Sequence, residues 1–285
     1  MATFIETLQG ATARNQSMLC VGLDPEPGKL PGAWRGDAGR LYDFCAGIVD
    51  ATKDLVCAFK PQIAYFAAHA GGEAQLERLI AHIQRVAPEV PVILDAKRGD
   101  IGATAEQYAK EAFERYRADA VTLSPFMGFD SIEPYLRYPD KGAILLCRTS
   151  NPGGNDWQMQ RLADVPGQPR LFEHLAALAH SEWNRNGQLG LVVGATYPAE
   201  IARVRELAPT LPLLIPGVGA QGGDAEATVR AGLRRGADGA PTGPIIVNSS
   251  RAVLYAGSGD DWRDAARRAA LATRDLLNVA ASAAP

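Results

Sequence analysis

Four charged residues follow an apolar run directly in the stretch PVILDAKRGDIG, at positions 91–102. Asp95 and Lys97 are two residues apart, so they share a face if the run is a β-strand, and Asp100 follows where such a strand would end. Acids and bases beside an apolar rim are costly to desolvate unless they pair with one another. A paired, preorganised array of this kind favours chemistry that builds or removes charge.

Two earlier apolar runs carry similar groups. Lys60 lies in CAFKPQI, and Asp24 follows VGL. Taken singly, a strand-end Asp is typical of a loop cap, and a strand Lys is typical of a side chain that reaches solvent. Together with Asp95 and Lys97 they indicate one site, provided that the strands converge. Arg98 falls on the opposite strand face from Lys97 or in the turn, which favours a salt bridge outside the site.

Two further segments have the composition of a ligand site. Closely spaced glycines in PGVGAQGGD let backbone amides approach an anion, and we expect a helix to begin after Asp224. Gln221 in this loop and Arg251 in VNSSRAVLYAG predict a phosphate grip, although a structural turn is the alternative. Ser150 in CRTSNPGG could hydrogen-bond a heterocycle, or it could belong to a Ser/Asn turn.

The elements that must position these residues alternate along the chain. Eight short, β-branched runs lack clean alternation, which is typical of parallel strands covered on both faces. The runs are MLCVGLD, CAFKPQI, PVILDAK, DAVTLSP, GAILLCRTS, LGLVVGAT, PLLIPGVG and PIIVNSS. Amphipathic helical segments separate them. The pattern predicts an α/β fold, a single-domain (β/α)₈ TIM barrel over 1–285 with a short N-terminal helical segment before the first strand. An open doubly wound sheet is the alternative.

Composition excludes several classes of protein. The chain has 285 residues, 47% of them hydrophobic and 21% charged, which is ordinary for a soluble protein with a large core. A net charge of −3 and the lack of a basic block argue against nucleic-acid or membrane-surface partners. No run approaches a membrane span, and neither the four cysteines nor the four histidines have zinc-ligand spacing. We therefore expect a cytoplasmic protein with reduced, mostly structural cysteines.

The charged motif and its companions resemble the orotidine 5′-phosphate decarboxylase family. The residues concerned are LDAKRGDIGAT, Lys60 in FKPQIAYF, PGVGAQGG and SSRA, and RTSNPGG with VNSSRAVLYA is similar to the longer bacterial branch of the family. The match runs from Asp24 to Arg251. It implies decarboxylation of orotidine 5′-phosphate to UMP and carbon dioxide, without metal or cofactor, as the last step of de novo UMP synthesis.

The resemblance also implies a role for each matched residue. Lys97 stabilises the carbon-6 anion and then protonates it, Asp95 holds Lys97, and Lys60 positions Asp95 and a ribose hydroxyl. The same resemblance implies an obligate homodimer with shared sites. The remaining matched residues are Asp24 for a ribose hydroxyl, Ser150 for the pyrimidine, Gln221 and Arg251 for the phosphate, and Asp100, Ile101 and Thr104 for the partner subunit's site.

Three other functions remain open at this point. A metal-dependent phosphosugar decarboxylase or epimerase would need carboxylate or histidine ligands where this chain has lysines. A Schiff-base aldolase would need a neutral lysine, whereas flanking aspartates keep Lys97 protonated. A non-catalytic phosphate-binding barrel would keep Arg251 and the glycine-rich loop without needing Asp95, Lys97 and Lys60.

Overall fold

The eight apolar runs of the sequence form one parallel sheet in the computed structural model, which describes residues 2–218, 224–236 and 241–283. The sheet order is β2, β1, β8, β7, β6, β5, β4, β3, and parallel bridges from Phe59 to Val92 and from Gln62 to Asp95 join β2 to β3. The sheet therefore closes into the predicted barrel, and the open doubly wound alternative is wrong. The strands are β1 Leu19–Leu23, β2 Ala58–Pro61, β3 Ile93–Arg98, β4 Ala120–Leu123, β5 Gly142–Arg148, β6 Leu189–Val193, β7 Leu213–Pro216 and β8 Ile245–Ser249.

Helices precede, separate and follow the strands. They are α1 Phe4–Asn15, α2 Leu41–Thr52, α3 Ala64–Ala67, α4 Gly72–Val86, α5 Gly102–Lys110, α6 Glu133–Leu136, α7 Gly154–Trp157, α8 Leu171–His180, α9 Pro198–Leu207, α10 Ala225–Gly232, α11 Arg251–Leu254 and α12 Trp262–Ser282. A π-helical turn, Glu111–Arg115, continues α5, and Arg234–Arg235 pairs with Pro241–Gly243 before β8. The helix expected after Asp224 is confirmed as α10, and Asp224 caps it by accepting from the amides of Glu226 and Ala227.

Apolar spacing explains how the outer helices pack. On α4, Leu76, Leu79, Ile80 and Ile83 recur at intervals of three and four residues, and all four are buried. They belong to the large core between the sheet and the helices. In the part of the chain that the structure describes, no helix is long and apolar enough to span a membrane.

Helix α1 closes the amino-terminal end of the barrel. Thr3 and Glu6 form a reciprocal capping box that fixes where the helix begins. Phe4 and Leu8, at most 1% exposed, then pack against the barrel interior. A Cβ at Gly142 would lie 2.4 Å from the Phe4 ring, so β5 needs glycine where this helix meets it. Helix α1 therefore fills the barrel at the amino-terminal ends of the strands. The opening at their carboxyl-terminal ends, the mouth of the barrel, remains available for a ligand site.

A buried arginine holds the segment that leads into β8. Arg205 of α9 is 1% exposed and donates hydrogen bonds to main-chain carbonyls rather than to a carboxylate. Its guanidinium joins the segments that lead out of α9, out of α10 and into β8. The acceptors are the carbonyl oxygens of Ala208, Pro209, Leu211, Gly232, Gly243 and Pro244, at 2.7–3.2 Å.

Candidate active site

Lys60, Asp95 and Lys97 form a continuous ion-pair network at the mouth of the barrel. Lys60 Nζ donates to Asp95 Oδ2 at 2.8 Å, and Lys97 Nζ donates to Asp95 Oδ1 at 2.6 Å. The side chains of Lys60 and Asp95 are 5% and 10% exposed, whereas that of Lys97 is 47% exposed. Lys97 is therefore the member of the network that can reach a ligand, and the other two support it from below.

Lys60 and Asp95 keep their charges at neutral pH. Burial alone lowers the pKa of the Lys60 ammonium, but the carboxylates of Asp95 and Asp24 outweigh burial and hold this pKa above its usual value. Burial alone raises the pKa of the Asp95 carboxyl, but Lys60 and Lys97 outweigh it and hold this pKa well below its usual range. A buried cation beside a buried anion thus fixes the position of the exposed lysine.

The backbone of β3 is irregular where it presents Lys97. Ile93 and Leu94 pair with Ala120 and Val121, but the next paired residue, Arg98, lies opposite Leu123. The β3 side advances four residues while the β4 side advances two, which is a β-bulge. Lys97 has φ +48°, a left-handed conformation that costs a non-glycine residue about 1–2 kcal/mol. Asp95 and Lys97 do lie together, as expected, but a bulge brings them together rather than simple alternation.

Thr122 on β4 lies inside this bulge and was missed by the sequence reasoning. Its hydroxyl donates to Asp95 Oδ1 at 2.9 Å and accepts from the amides of Ala96 and Lys97, both at 3.0 Å. The side chain is 1% exposed. This contact depends on the register of β4 against β3. The residue pattern of either strand alone does not reveal that register.

Asp24 stands beside the network with an unused acceptor. Its Oδ1 is buried and has no hydrogen-bond partner among the described residues. Its main-chain oxygen accepts from the Tyr255 hydroxyl at 3.2 Å, which ties the end of β1 to the segment after α11. A buried carboxylate oxygen without a partner loses free energy unless a ligand donor reaches it.

Ser150 lies just beyond β5, pressed against the end of β6. A Cβ at Gly194 would lie 2.7 Å from the Cα, Cβ and backbone nitrogen of Ser150, so only glycine allows this approach. The Gly194 amide also donates to the Arg148 carbonyl at 2.7 Å. The two strand ends therefore hold Ser150 at the mouth, where the sequence placed it.

Asp100, Ile101 and Thr104 lie around the start of α5, where Asp100 is half-buried. Asp100 accepts a hydrogen bond from the Ile101 amide at 2.8 Å. Among the described residues Asp100 forms no ion pair, so it does not join the network of Lys60, Asp95 and Lys97. The Ile101 side chain is 48% exposed, and Thr104 is exposed as well.

Of the two residues expected at a phosphate, Arg251 belongs to the described part of the chain. Arg251 is exposed and is the first residue of α11, directly after the end of β8. Gln221 lies outside the described residues. Arg98, which the sequence left out of the site, pairs with Glu111 on the π-helical turn at 2.8 Å and lies over the Tyr108 ring.

The insertion after β5 is anchored by side chains that the sequence did not single out. Arg148 is 1% exposed and donates to Asn155 Oδ1 at 2.6 Å, and the Thr149 amide donates to Gln158 Oε1 at 2.8 Å. The Trp157 ring, which is exposed, lies 5.8 Å from that of Phe126. The insertion is thus pinned to the strand that carries Ser150.

The chemistry of the donor set at the mouth is cationic. Within the described ranges, no group of three or more histidine, cysteine, aspartate and glutamate side chains is placed to hold a metal ion. All four cysteines are buried and free. The network can stabilise developing negative charge and can donate a proton from Lys97.

Comparison with known proteins places this geometry in a family. A model of the orotidine 5′-phosphate decarboxylase / HUMPS family matches residues 17–269. The chain belongs to this family. It is 81% identical over 281 residues to an orotidine 5′-phosphate decarboxylase of Leptothrix cholodnii and 74% identical over 278 residues to that of Paracidovorax citrulli, covering at least 98% of each chain.

Solved structures of the family share the fold. The Leishmania donovani OMP decarboxylase superimposes with a TM-score of 0.83 at 40% identity, and the match covers 99% of this chain and 100% of that one. A structure from Streptomyces avermitilis described as a putative orotidine 5′-phosphate decarboxylase gives 0.80 at 30% identity, with 99% and 97% covered. The predicted family and barrel fold are confirmed.

Proposed function

We propose that this chain decarboxylates orotidine 5′-phosphate to UMP and carbon dioxide with Lys97 as the group that acts on carbon 6. The reaction follows from membership of the family and from the names of relatives up to 81% identical over the full chain. It is the step of pyrimidine biosynthesis that yields UMP. The observation that supports the residue assignment is the fixed network in which Lys97 alone of the three members is well exposed.

The network suits the bond changes of this reaction. The bond from carbon 6 to the carboxylate breaks, carbon dioxide leaves, and the electron pair stays on carbon 6. The Lys97 ammonium stabilises that pair and then donates a proton to it, so Lys97 becomes neutral as UMP forms. Asp95 holds the ammonium in place, and Lys60 keeps Asp95 ionised inside the barrel.

The remaining predicted residues bind the parts of the substrate that do not react. Asp24 would accept from a ribose hydroxyl through its unused Oδ1, Ser150 would contact the pyrimidine, and Arg251 with Gln221 would bind the phosphate. Binding energy from the phosphate then contributes to orienting carbon 6 against Lys97. The unpartnered oxygen of Asp24 is the observation that favours a ligand hydroxyl at this position.

We further propose that the protein works as a homodimer whose sites are shared. Asp100 forms no ion pair among the described residues, and Ile101 and Thr104 are exposed, which supports their placement in the partner subunit's site. Large exposed apolar side chains follow β3, β4 and β5, as expected for a surface that another copy covers. They are Ile101, Phe126, Met127 and Trp157, each at least 48% exposed.

The decisive experiment follows orotidine 5′-phosphate absorbance with purified wild type and Lys97→Ala, each with and without a strong metal chelator. We expect wild type to form UMP in both conditions and Lys97→Ala to lose at least about 10³-fold in kcat. The variant should still bind UMP. Retained turnover in Lys97→Ala would contradict its role, and activity lost only with chelator would indicate a metal reaction instead.

A further inference from the structure

The hydroxyl of Thr122 contacts both the reactive lysine's backbone and its counterion. It accepts from the Lys97 amide at 3.0 Å and donates to Asp95 Oδ1 at 2.9 Å. The same Oδ1 accepts from Lys97 Nζ at 2.6 Å. One oxygen atom thus links the main-chain end of Lys97 to the carboxylate that holds its ammonium end.

The hydrogen-bonding capacity of this hydroxyl is fully used. A threonine hydroxyl has one hydrogen to donate and two lone pairs to accept with. Asp95 takes the hydrogen, and the amides of Ala96 and Lys97 take the lone pairs. Because the side chain is 1% exposed, water cannot substitute for it without a cavity.

The bulge makes the hydroxyl necessary at this position. In a regular ladder, the amides of β3 would find carbonyl acceptors on a neighbouring strand, but the register shift between Leu94 and Arg98 removes Ala96 and Lys97 from that ladder. Thr122 supplies the acceptor that both amides need. It also stabilises the left-handed conformation of Lys97, at φ +48°, against relaxation into an ordinary strand.

We propose that Thr122 is a positioning residue for the reaction, which it serves by holding the bulge that presents Lys97 against Asp95. This inference rests on the proposed function of Lys97. Thr122 itself need not touch the substrate, since its three hydrogen bonds all go to the protein. Its removal should therefore affect the chemical step more than the binding of nucleotide.

The test replaces Thr122 with valine, which keeps the branched shape but has no hydroxyl. We expect kcat at saturating substrate to fall about 10–100-fold, as for other residues that orient a reacting group, while UMP affinity measured by calorimetry stays near wild type. Thr122→Ser, which restores the hydroxyl, should recover most of kcat. Amide hydrogen exchange at Ala96 and Lys97 should become faster in the valine variant and not in the serine variant.

The matched control is Thr52→Val. Thr52 is also fully buried, and its hydroxyl donates to the Ile48 carbonyl at 2.8 Å on α2, outside the site. It should alter stability without altering kcat. Should Thr122→Val fail to fold, Thr122→Cys carries the same test, because a thiol is a weak donor and acceptor of similar size.

Each outcome bears on one hypothesis. Wild-type kcat in Thr122→Val, or an equal loss in the valine and serine variants, would overturn the role of the hydroxyl. An equal loss of kcat in Thr52→Val would mean that the effect is general destabilisation, which would also overturn the proposed role of the Thr122 hydroxyl. Assaying Lys97→Ala alongside distinguishes failure of the Thr122 hypothesis from failure of the proposed function. If Lys97→Ala stays active, the proposed function itself fails, whatever the Thr122 variants show.

Discussion

Lys60 and Lys97 are the same residue type in two environments. The difference in their exposure supports different roles for the two lysines. The Lys60 side chain is 5% exposed and holds Asp95, whereas the Lys97 side chain is 47% exposed and can face a substrate. Removing one member of a buried ion pair leaves a charge without its counterion in a low dielectric. The two lysines should therefore differ in what their loss does to stability and to catalysis.

Lys60→Met should lower the free energy of unfolding by about 3 kcal/mol, because Asp95 stays buried with one cation fewer. Arg40→Met is the control, since Arg40 and Asp43 form an exposed, solvent-screened pair whose loss should cost far less than that of the buried pair. Urea unfolding at pH 7 measures both. Similar small losses in the two variants would mean that the buried pair contributes little.

The pH dependence of that stability difference has a defined sign. The folded-state pKa of Asp95 is lowered, so its contribution is present above about pH 4 and is lost as the pH falls towards its folded value. The folded-state pKa of Lys60 is raised, so its contribution is present below about pH 10 and is lost as the pH rises further. The difference between wild type and Lys60→Met should be flat between these limits and shrink outside them.

At the scale of elements, the ends of neighbouring strands set the shape of the mouth. Gly194 follows β6 and lies against the backbone of Ser150 after β5, where an added Cβ would come within 2.7 Å. Because the contact is with backbone rather than with a rotatable side-chain tip, one strand end must move to relieve it. The geometry of the candidate pyrimidine contact therefore depends on a residue that cannot itself bind the substrate.

Gly194→Ala should raise KM for orotidine 5′-phosphate about tenfold or more by displacing Ser150. Gly10→Ala on α1 is the matched control, since nothing lies within 4 Å of its added Cβ and alanine favours a helix by about 0.5–1 kcal/mol over glycine. Steady-state kinetics and thermal unfolding of both variants check this. An unchanged KM in Gly194→Ala would show that the mouth tolerates the shift.

The strands and helices were more predictable from the sequence than the contacts between them. Eight strands and the helix after Asp224 follow from local apolar patterns, which each segment carries in its own residues. The bulge in β3 does not, because it depends on where Thr122 of β4 falls opposite Asp95. Arg148 and Arg205 were missed for a similar reason: buried arginines that bond to amide and carbonyl oxygens of distant segments leave no periodic signal.

For the whole molecule, the position of Asp100 is the feature with the largest consequence. It lies next to the network in sequence but forms no ion pair among the described residues. A closed twofold interface would let each protomer lend this residue to its neighbour. Catalysis as well as stability would then require the dimer.

Mixing two inactive variants tests the shared site. Asp100→Ala and Lys97→Ala should each be inactive alone, and unfolding and refolding them together in equal amounts should restore roughly a quarter of wild-type activity, since half of the dimers carry one intact site of two. The assay is UMP formation after mixing, with each variant refolded alone as the control. No recovery would mean that each barrel holds its own complete site.

The filling of the barrel by Phe4 and Leu8 of α1 has a consequence for the order of events in each turnover. In the proposed reaction Lys97 ends without its proton, and the barrel interior below the Lys60–Asp95 pair is packed hydrocarbon that cannot conduct one. The replacement proton for Lys97 would therefore come from water at the mouth, by the route through which substrate enters and UMP leaves. Under that proposal, product departure and reprotonation would use the same opening one after the other, so the site would be ready for new substrate only after its mouth had opened to solvent.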